Sequence, residues 1–312
     1  MPSRTDQTRT DGVEFTRLSL LRPGRRWWRP LLTALLLVVL VLLLQIGFWG
    51  TAVLFAGVDP LAPARFEVGQ PFSLMLMLGP VVLLLPAVLL ASRIAEGGGV
   101  GLLSSVAGRI RWGWLGRSLL VAVVVYALHA TVTAVSGAAP GGGGLRLDSP
   151  GLVLSLVLIV IVGALQSTAE EFVFRGFVMQ SIGSWLTHPA FAVVLQIPVF
   201  LVLHVYDVWG SLTVVAMAAF AGWLAWRTGG LESSIGLHAG NNVSILIAGA
   251  LGLRDANATE LTPATLGISV AAMLVYTIVV DRWADRIGLV RIRPSSATPI
   301  AGARRETKRP VR

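Results

Sequence analysis

The residues able to do chemistry fall into three short groups: Glu170-Glu171-Phe-Val-Phe-Arg175, Phe200-Leu-Val-Leu-His204 and His238-Ala-Gly-Asn241-Asn242. Of the 16 acids, Glu170 and Glu171 are the two that fall well within a continuous helical segment, and ionisable groups at depth in a membrane are expensive and usually functional. Read as a helix, Glu171 and Arg175 form an i,i+4 pair in the favourable order, acid before base. Glu170 is rotated about 100° from Glu171. It is not the natural partner of Arg175, so it is free to face a cavity. His238 and Asn242 are also four apart, so both side chains point the same way.

That set suits acyl transfer. Peptide hydrolysis needs a base to activate water and donors to hold the developing oxyanion. Glu170 and His204 can orient and deprotonate the water, while His238 and the Asn242 amide can donate to the oxyanion. The chain has no Cys, which excludes disulfides, thiolate zinc sites and Cys nucleophiles. His129, in mid-span without an acidic neighbour, reads as a packing or hydrogen-bonding residue, and His188, before Pro189, as a solvated loop residue. Buried Glu and His also serve as proton relays, so a proton-coupled transporter is one alternative. A non-catalytic membrane scaffold or immunity protein is the other.

These groups must be positioned by membrane helices. The chain is 54% hydrophobic and 13% charged, against roughly 25% charged for a soluble domain, with a mean hydropathy of +0.75. An ordinary water-soluble protein and a disordered chain are both excluded, leaving an integral membrane protein. Eight apolar segments, at 31–55, 72–91, 119–138, 152–180, 190–204, 212–226, 233–251 and 265–280, predict an all-α polytopic fold of about eight transmembrane helices. The fifth and sixth look short. The first follows a 29-residue polar lead and exceeds a signal-peptide core, so it reads as an uncleaved span. With even numbering, 22 of the 25 basic residues fall on the side of the termini, and Arg65, Arg146 and Arg254 on the other. Both termini are therefore expected in the cytoplasm of a multi-pass cell-membrane protein, and the net charge of +9 is no sign of nucleic-acid binding.

The expected organisation is a basic tail over 1–29, helices one to three over 30–148, a core of helices four to seven over 149–252, a last helix over 253–293 and a basic tail over 294–312. Both tails read as disordered. Residues 100–117 read as an interfacial segment, with Trp27, Trp28, Trp112 and Trp114 at span boundaries. Depth is the difficulty. At 1.5 Å per residue, Glu170 and His204 lie about 20 and 21 Å from the cytoplasmic helix ends, but His238 only about 9 Å. Convergence requires an earlier start to the seventh helix, or a cavity open to the cytoplasm.

The three groups, in this order on separate helices, resemble the CPBP family, also called CAAX-protease and bacteriocin-processing or Abi proteins, which are intramembrane endopeptidases. Glu170 to Arg175 fits the family's EExxxR motif, Phe200 to His204 fits FxxxH, and His238 to Asn242 fits HxxxN. The matching core runs over about 152–251. The resemblance implies that Glu170 and His204 activate water, that His238 and Asn242 form the oxyanion site, and that Glu171 and Arg175 support them. It implies a glutamate-type, metal-free mechanism. A zinc held by Glu170, His204 and His238 is the alternative. The implied partner, besides the lipid bilayer, is a membrane-associated protein or peptide substrate. The Arg-rich composition looks bacterial, which makes prenylated CAAX proteins a poor substrate guess.

Overall fold

The computed structural model describes residues 12–22, 26–59, 65–97 and 99–294. Each of the eight apolar segments forms a helix: α1 (Arg29–Ala56), α2 (Pro71–Glu96), α3 (Trp112–Val135), α4 (Leu152–Trp185), α5 (Pro189–Leu201), α6 (Val208–Thr228), α7 (Glu232–Ala250) and α8 (Pro263–Arg286). Six of them, and not the eight expected, are long and apolar enough to cross a membrane. The two that fall short do so for different reasons. α5 has 13 residues, about 20 Å at 1.5 Å per residue, against a hydrocarbon core of about 30 Å. α7 has 19 residues but carries Glu232, His238, Asn241 and Asn242. It packs against α3, α4 and α6, so its polar groups meet protein rather than lipid. α6, expected to be short, runs to 21 residues.

Close approach of α7 to α3 depends on Gly240. A Cβ there would lie 2.6 Å from a Tyr126 ring carbon and 2.8 Å from the Ala122 Cβ, closer than any ordinary contact. Small residues that let helix backbones approach are the usual device in membrane bundles. α4 contains two π-helical stretches, Ile159–Gly163 and Phe172–Val178. The second starts directly after Glu171, and such bulges are frequent at functional sites.

At the end of the bundle nearest the chain termini, β1 (Gly12–Glu14) pairs antiparallel with β2 (Ile292–Pro294). A 3₁₀ turn, Phe15–Leu21, follows β1 and buries Phe15 and Leu18 completely. The expectation of a disordered N-terminal tail is therefore corrected for 12–22, whose apolar side chains find a core that the local composition does not reveal. Residues 1–11 and 295–312 lie outside the described residues. Arg22 is ion-paired with Glu96, to which Thr33 also donates at 3.0 Å, and burial pushes the Arg22 guanidinium down to about 10.

The segment expected at the interface is partly a plug. Leu102 to Val106 are buried, the Leu231 amide donates to the Ser104 carbonyl at 2.8 Å, and Gln180 donates to the Leu102 carbonyl at 2.8 Å. Arg111 then reaches Glu232 at 2.6 Å, with the carboxylate fully buried. Trp27 and Trp112 are exposed as boundary residues should be, but Trp114 is buried, its indole donating to Ser233 at 2.9 Å. At the opposite end, loops knit together: Asp255 donates its amide to the Pro140 carbonyl and Asp207 to the Thr259 carbonyl, while Asn257 bonds both backbone groups of Phe66.

Candidate active site

Glu171 and Arg175 come from the α4 turn that changes from α to π geometry, and both are fully buried. Their ion pair closes at 2.9 Å, as the i,i+4 spacing predicts. Arg175 also lies over the Phe200 ring, 4.6 Å from its centroid, a cation–π contact that helps hold a charge away from water. The same Glu171 oxygen that meets Arg175 lies 2.8 Å from His238 Nδ1. A carboxylate paired with a guanidinium accepts, so Nδ1–H donates and Nε2 is the nitrogen left to the interior.

That nitrogen lies 3.4 Å from Glu170 Oε2. The other oxygen, Oε1, accepts from Gln166 at 2.7 Å. Gln166 in turn accepts from Asn242 at 3.0 Å, and Asn242 accepts from Asn241 at 3.1 Å. An amide relay thus fixes one oxygen of Glu170 and leaves Oε2, which has no hydrogen-bond partner among the described residues, turned toward His238. His204 follows the C-terminal end of α5. Its Nδ1 is 2.8 Å from the Phe200 carbonyl. A carbonyl can only accept, so Nδ1 carries the proton and Nε2 presents a lone pair. Phe200 separates the two imidazoles, with ring centroids at 4.5 Å to His204 and 6.0 Å to His238.

Glu170, His204, His238 and Asn242 line one cavity of about 270 Å³. Glu171 and Arg175 lie behind it, one contact away. The cavity also has walls that sequence reasoning did not single out, namely Gln166, Tyr206 and Arg254. Gln166 was within reach, being four residues before Glu170 on the same helix face. Tyr206 and Arg254 come from loops and had no periodic signal. Burial holds the Arg254 guanidinium below its ordinary value, opposed by Tyr206 and Asp255. His129 is outside the cavity and makes a hydrogen bond with Ser269 at 3.2 Å. His188 is exposed and caps α5.

The depth difficulty resolves in an unexpected way. α7 does begin at Glu232, yet His238 touches Glu171, which is 14 residues or about 21 Å from the end of α4. The start of α7 is therefore sunk beneath the 102–106 plug. Nor does the cavity reach toward the termini as expected. It runs to the opposite end, past Tyr206, Arg254, Ala258 and Leu261. Among the described residues no three His, Cys, Asp or Glu side chains converge as a metal-ligand set.

Fold and cavity together define an all-α polytopic membrane protein with a polar site enclosed in its interior. Residues 151–244 match the family model described as type II CAAX prenyl endopeptidase Rce1-like. A CAAX-protease type of domain is thus matched over part of the chain, and the match spans all three motifs. The uncharacterized protein YyaK of Bacillus subtilis (strain 168) is 31% identical over 99 residues, covering 30% of this chain and 32% of that protein. The aligned stretch is therefore about a third of the relative's length. No solved structure matches.

Proposed function

We propose that this protein is an intramembrane endopeptidase that hydrolyses a peptide bond of a membrane-associated protein or peptide. The observation that carries the reading is the common cavity of Glu170, His204, His238 and Asn242, drawn from three helical regions far apart in sequence. The family match over 151–244 supports it.

In this reading a water molecule lies against Glu170 Oε2, the oxygen that the Gln166 relay leaves free. Glu170, with His204 Nε2 as a second acceptor, takes a proton as the water oxygen attacks the scissile carbonyl carbon. The carbonyl π bond becomes a C–O⁻, which the second N–H of the Asn242 amide stabilises by donation, joined by His238 Nε2 once that nitrogen carries a proton as well as Nδ1. Glu170 then returns the proton to the amide nitrogen as the C–N bond breaks, releasing a carboxylic acid and an amine. Glu171 acts as a positioning residue. It orients His238 through Nδ1 while Arg175 compensates its charge. The low dielectric of a protein-enclosed site strengthens each of these hydrogen bonds relative to water.

The test is a Glu170→Gln variant compared with the parent chain in membranes. The expected result is a correctly folded protein and accumulation of an unprocessed membrane peptide, read by comparing membrane peptidomes. Equal processing by both forms would remove the mechanism and favour the scaffold reading.

A further inference from the structure

The cavity is closed on one side and open on the other, and the arginines identify the sides. Toward the chain termini, the layer next to Glu170 is solid. Glu171 and Arg175 are fully buried, and so are Leu103, Ser105, Leu231 and Glu232 beyond them. The 102–106 plug is bonded onto Leu231, and its continuation is locked by the Arg111–Glu232 ion pair. None of these residues lines the cavity. In the other direction the lining continues without interruption through Tyr206 and Gly210, at the α5–α6 connection, to Arg254, Ala256, Ala258 and Leu261 in the α7–α8 loop. The mouth is therefore at the loop end of the bundle, opposite the β1–β2 pair.

Basic residues beside membrane spans concentrate on the cytoplasmic face. Among the described residues, thirteen arginines flank the helices at the end that holds the β1–β2 pair, against Arg65, Arg146 and Arg254 at the loop end. The bias holds without residues 1–11 and 295–312, so it is not a product of the two tails. The helix ends near the termini are thus cytoplasmic, and the cavity opens away from them.

We infer that the site takes its substrate from the face of the membrane opposite the cytoplasm. Given the endopeptidase reading, on which the word substrate rests, the substrate class is the extracytoplasmic part of a membrane-associated peptide: a segment exposed on, or partly inserted from, the outer leaflet. A chain segment confined to the cytoplasm has no path to Glu170, because the plug and the buried Glu171–Arg175 layer intervene.

The natural absence of Cys makes the test direct. Single-Cys variants Thr259→Cys in the mouth loop, Thr213→Cys and Ala258→Cys on the cavity wall, and Thr187→Cys in the α4–α5 turn are placed in the full chain. Right-side-out and inverted membrane vesicles are then treated with a charged, membrane-impermeant thiosulfonate, and remaining thiols are counted by mass shift. The expected result is complete reaction of Thr259→Cys and of at least one cavity position in right-side-out vesicles, with Thr187→Cys reacting only in inverted ones. Failure of both cavity positions to react in right-side-out vesicles overturns the inference, as does reaction of Thr187→Cys there. Two cavity positions guard against one variant misfolding. The labelling is read without any proteolysis, so its failure leaves the endopeptidase reading intact, and that reading falls separately if Glu170→Gln processes normally.

Discussion

Glu170 and Glu171 are adjacent and chemically identical, yet their replacement by Gln should have opposite consequences. Glu170 has one oxygen on Gln166 and the other without a hydrogen-bond partner among the described residues, 3.4 Å from His238 Nε2. A Gln of the same size can keep its carbonyl on Gln166 and place its amide toward His238, so the fold should persist. What disappears is the proton acceptor, and general acid–base catalysis contributes roughly 10²–10⁴ in rate. Glu171 is fully buried and serves Arg175 and His238 with one oxygen. Gln at 171 leaves the Arg175 cation uncompensated in the interior, and breaking one side of a buried pair costs about 3–5 kcal/mol. At about 2–4 °C per kcal/mol, the apparent Tm in detergent should fall by roughly 6–20 °C. The Glu171→Gln/Arg175→Met double variant should be less destabilised than Glu171→Gln, since no orphan charge remains. Thermal unfolding followed by size-exclusion chromatography reads the stability, and membrane peptidomes read the activity. An unchanged Tm for Glu171→Gln, or a Glu170→Gln variant that fails to fold, would refute the division of labour drawn from the geometry.

Other outcomes follow from single features. Gln166→Leu removes the donor that fixes Glu170 Oε1 and should lower turnover at least tenfold with little change in substrate affinity, a split measurable with a processed peptide. Gly240→Ala drives a methyl group into Tyr126 and Ala122 and should cost about 1–3 kcal/mol by overpacking, read as a lower Tm. Activity should survive exhaustive chelation, and loss reversed by zinc would favour the metal alternative. Asp255 is held below its ordinary value chiefly by the Asn257 backbone amide, then by the Asn257 side chain and the neighbouring arginines. Its contribution is therefore present above the unfolded-state pKa of about 4 and is lost as pH falls through the folded one. Protease cutting in 251–262 should rise on acidification in the parent chain and be independent of pH in Asp255→Asn.

Local periodicity made much of this molecule readable. The eight helical segments, the Glu171–Arg175 pair and the shared face of His238 and Asn242 all depend on neighbours within a turn, and each has the geometry its spacing predicts. What escaped depends on partners far along the chain. Arg111 and Glu232 are 121 residues apart, so nothing near Glu232 marks it as buried. The same holds for Glu96, whose counter-ion Arg22 lies in a stretch that reads as a disordered tail. The span count fell short of eight at α5, which is too short to cross, and at α7, whose polar groups meet protein rather than lipid. The depth of His238 was misjudged because helix length locates a residue within its own helix and says nothing about where that helix begins relative to the others.

The pairing of Gly12–Glu14 with Ile292–Pro294 sets an order of assembly. The first strand leaves the ribosome some 280 residues before its partner exists, which at 5–20 residues per second is about 15–60 s. Insertion of every helix precedes closure of this clasp, whereas Phe15 and Leu18 pack in a buried cluster whose last member is Ile235 and need not wait for it. The Gly12–Glu14 strand is thus a late-setting seal that fastens only after the last helix is in place. A chain stopped short of Ile292 should keep its bundle while leaving that seal undone.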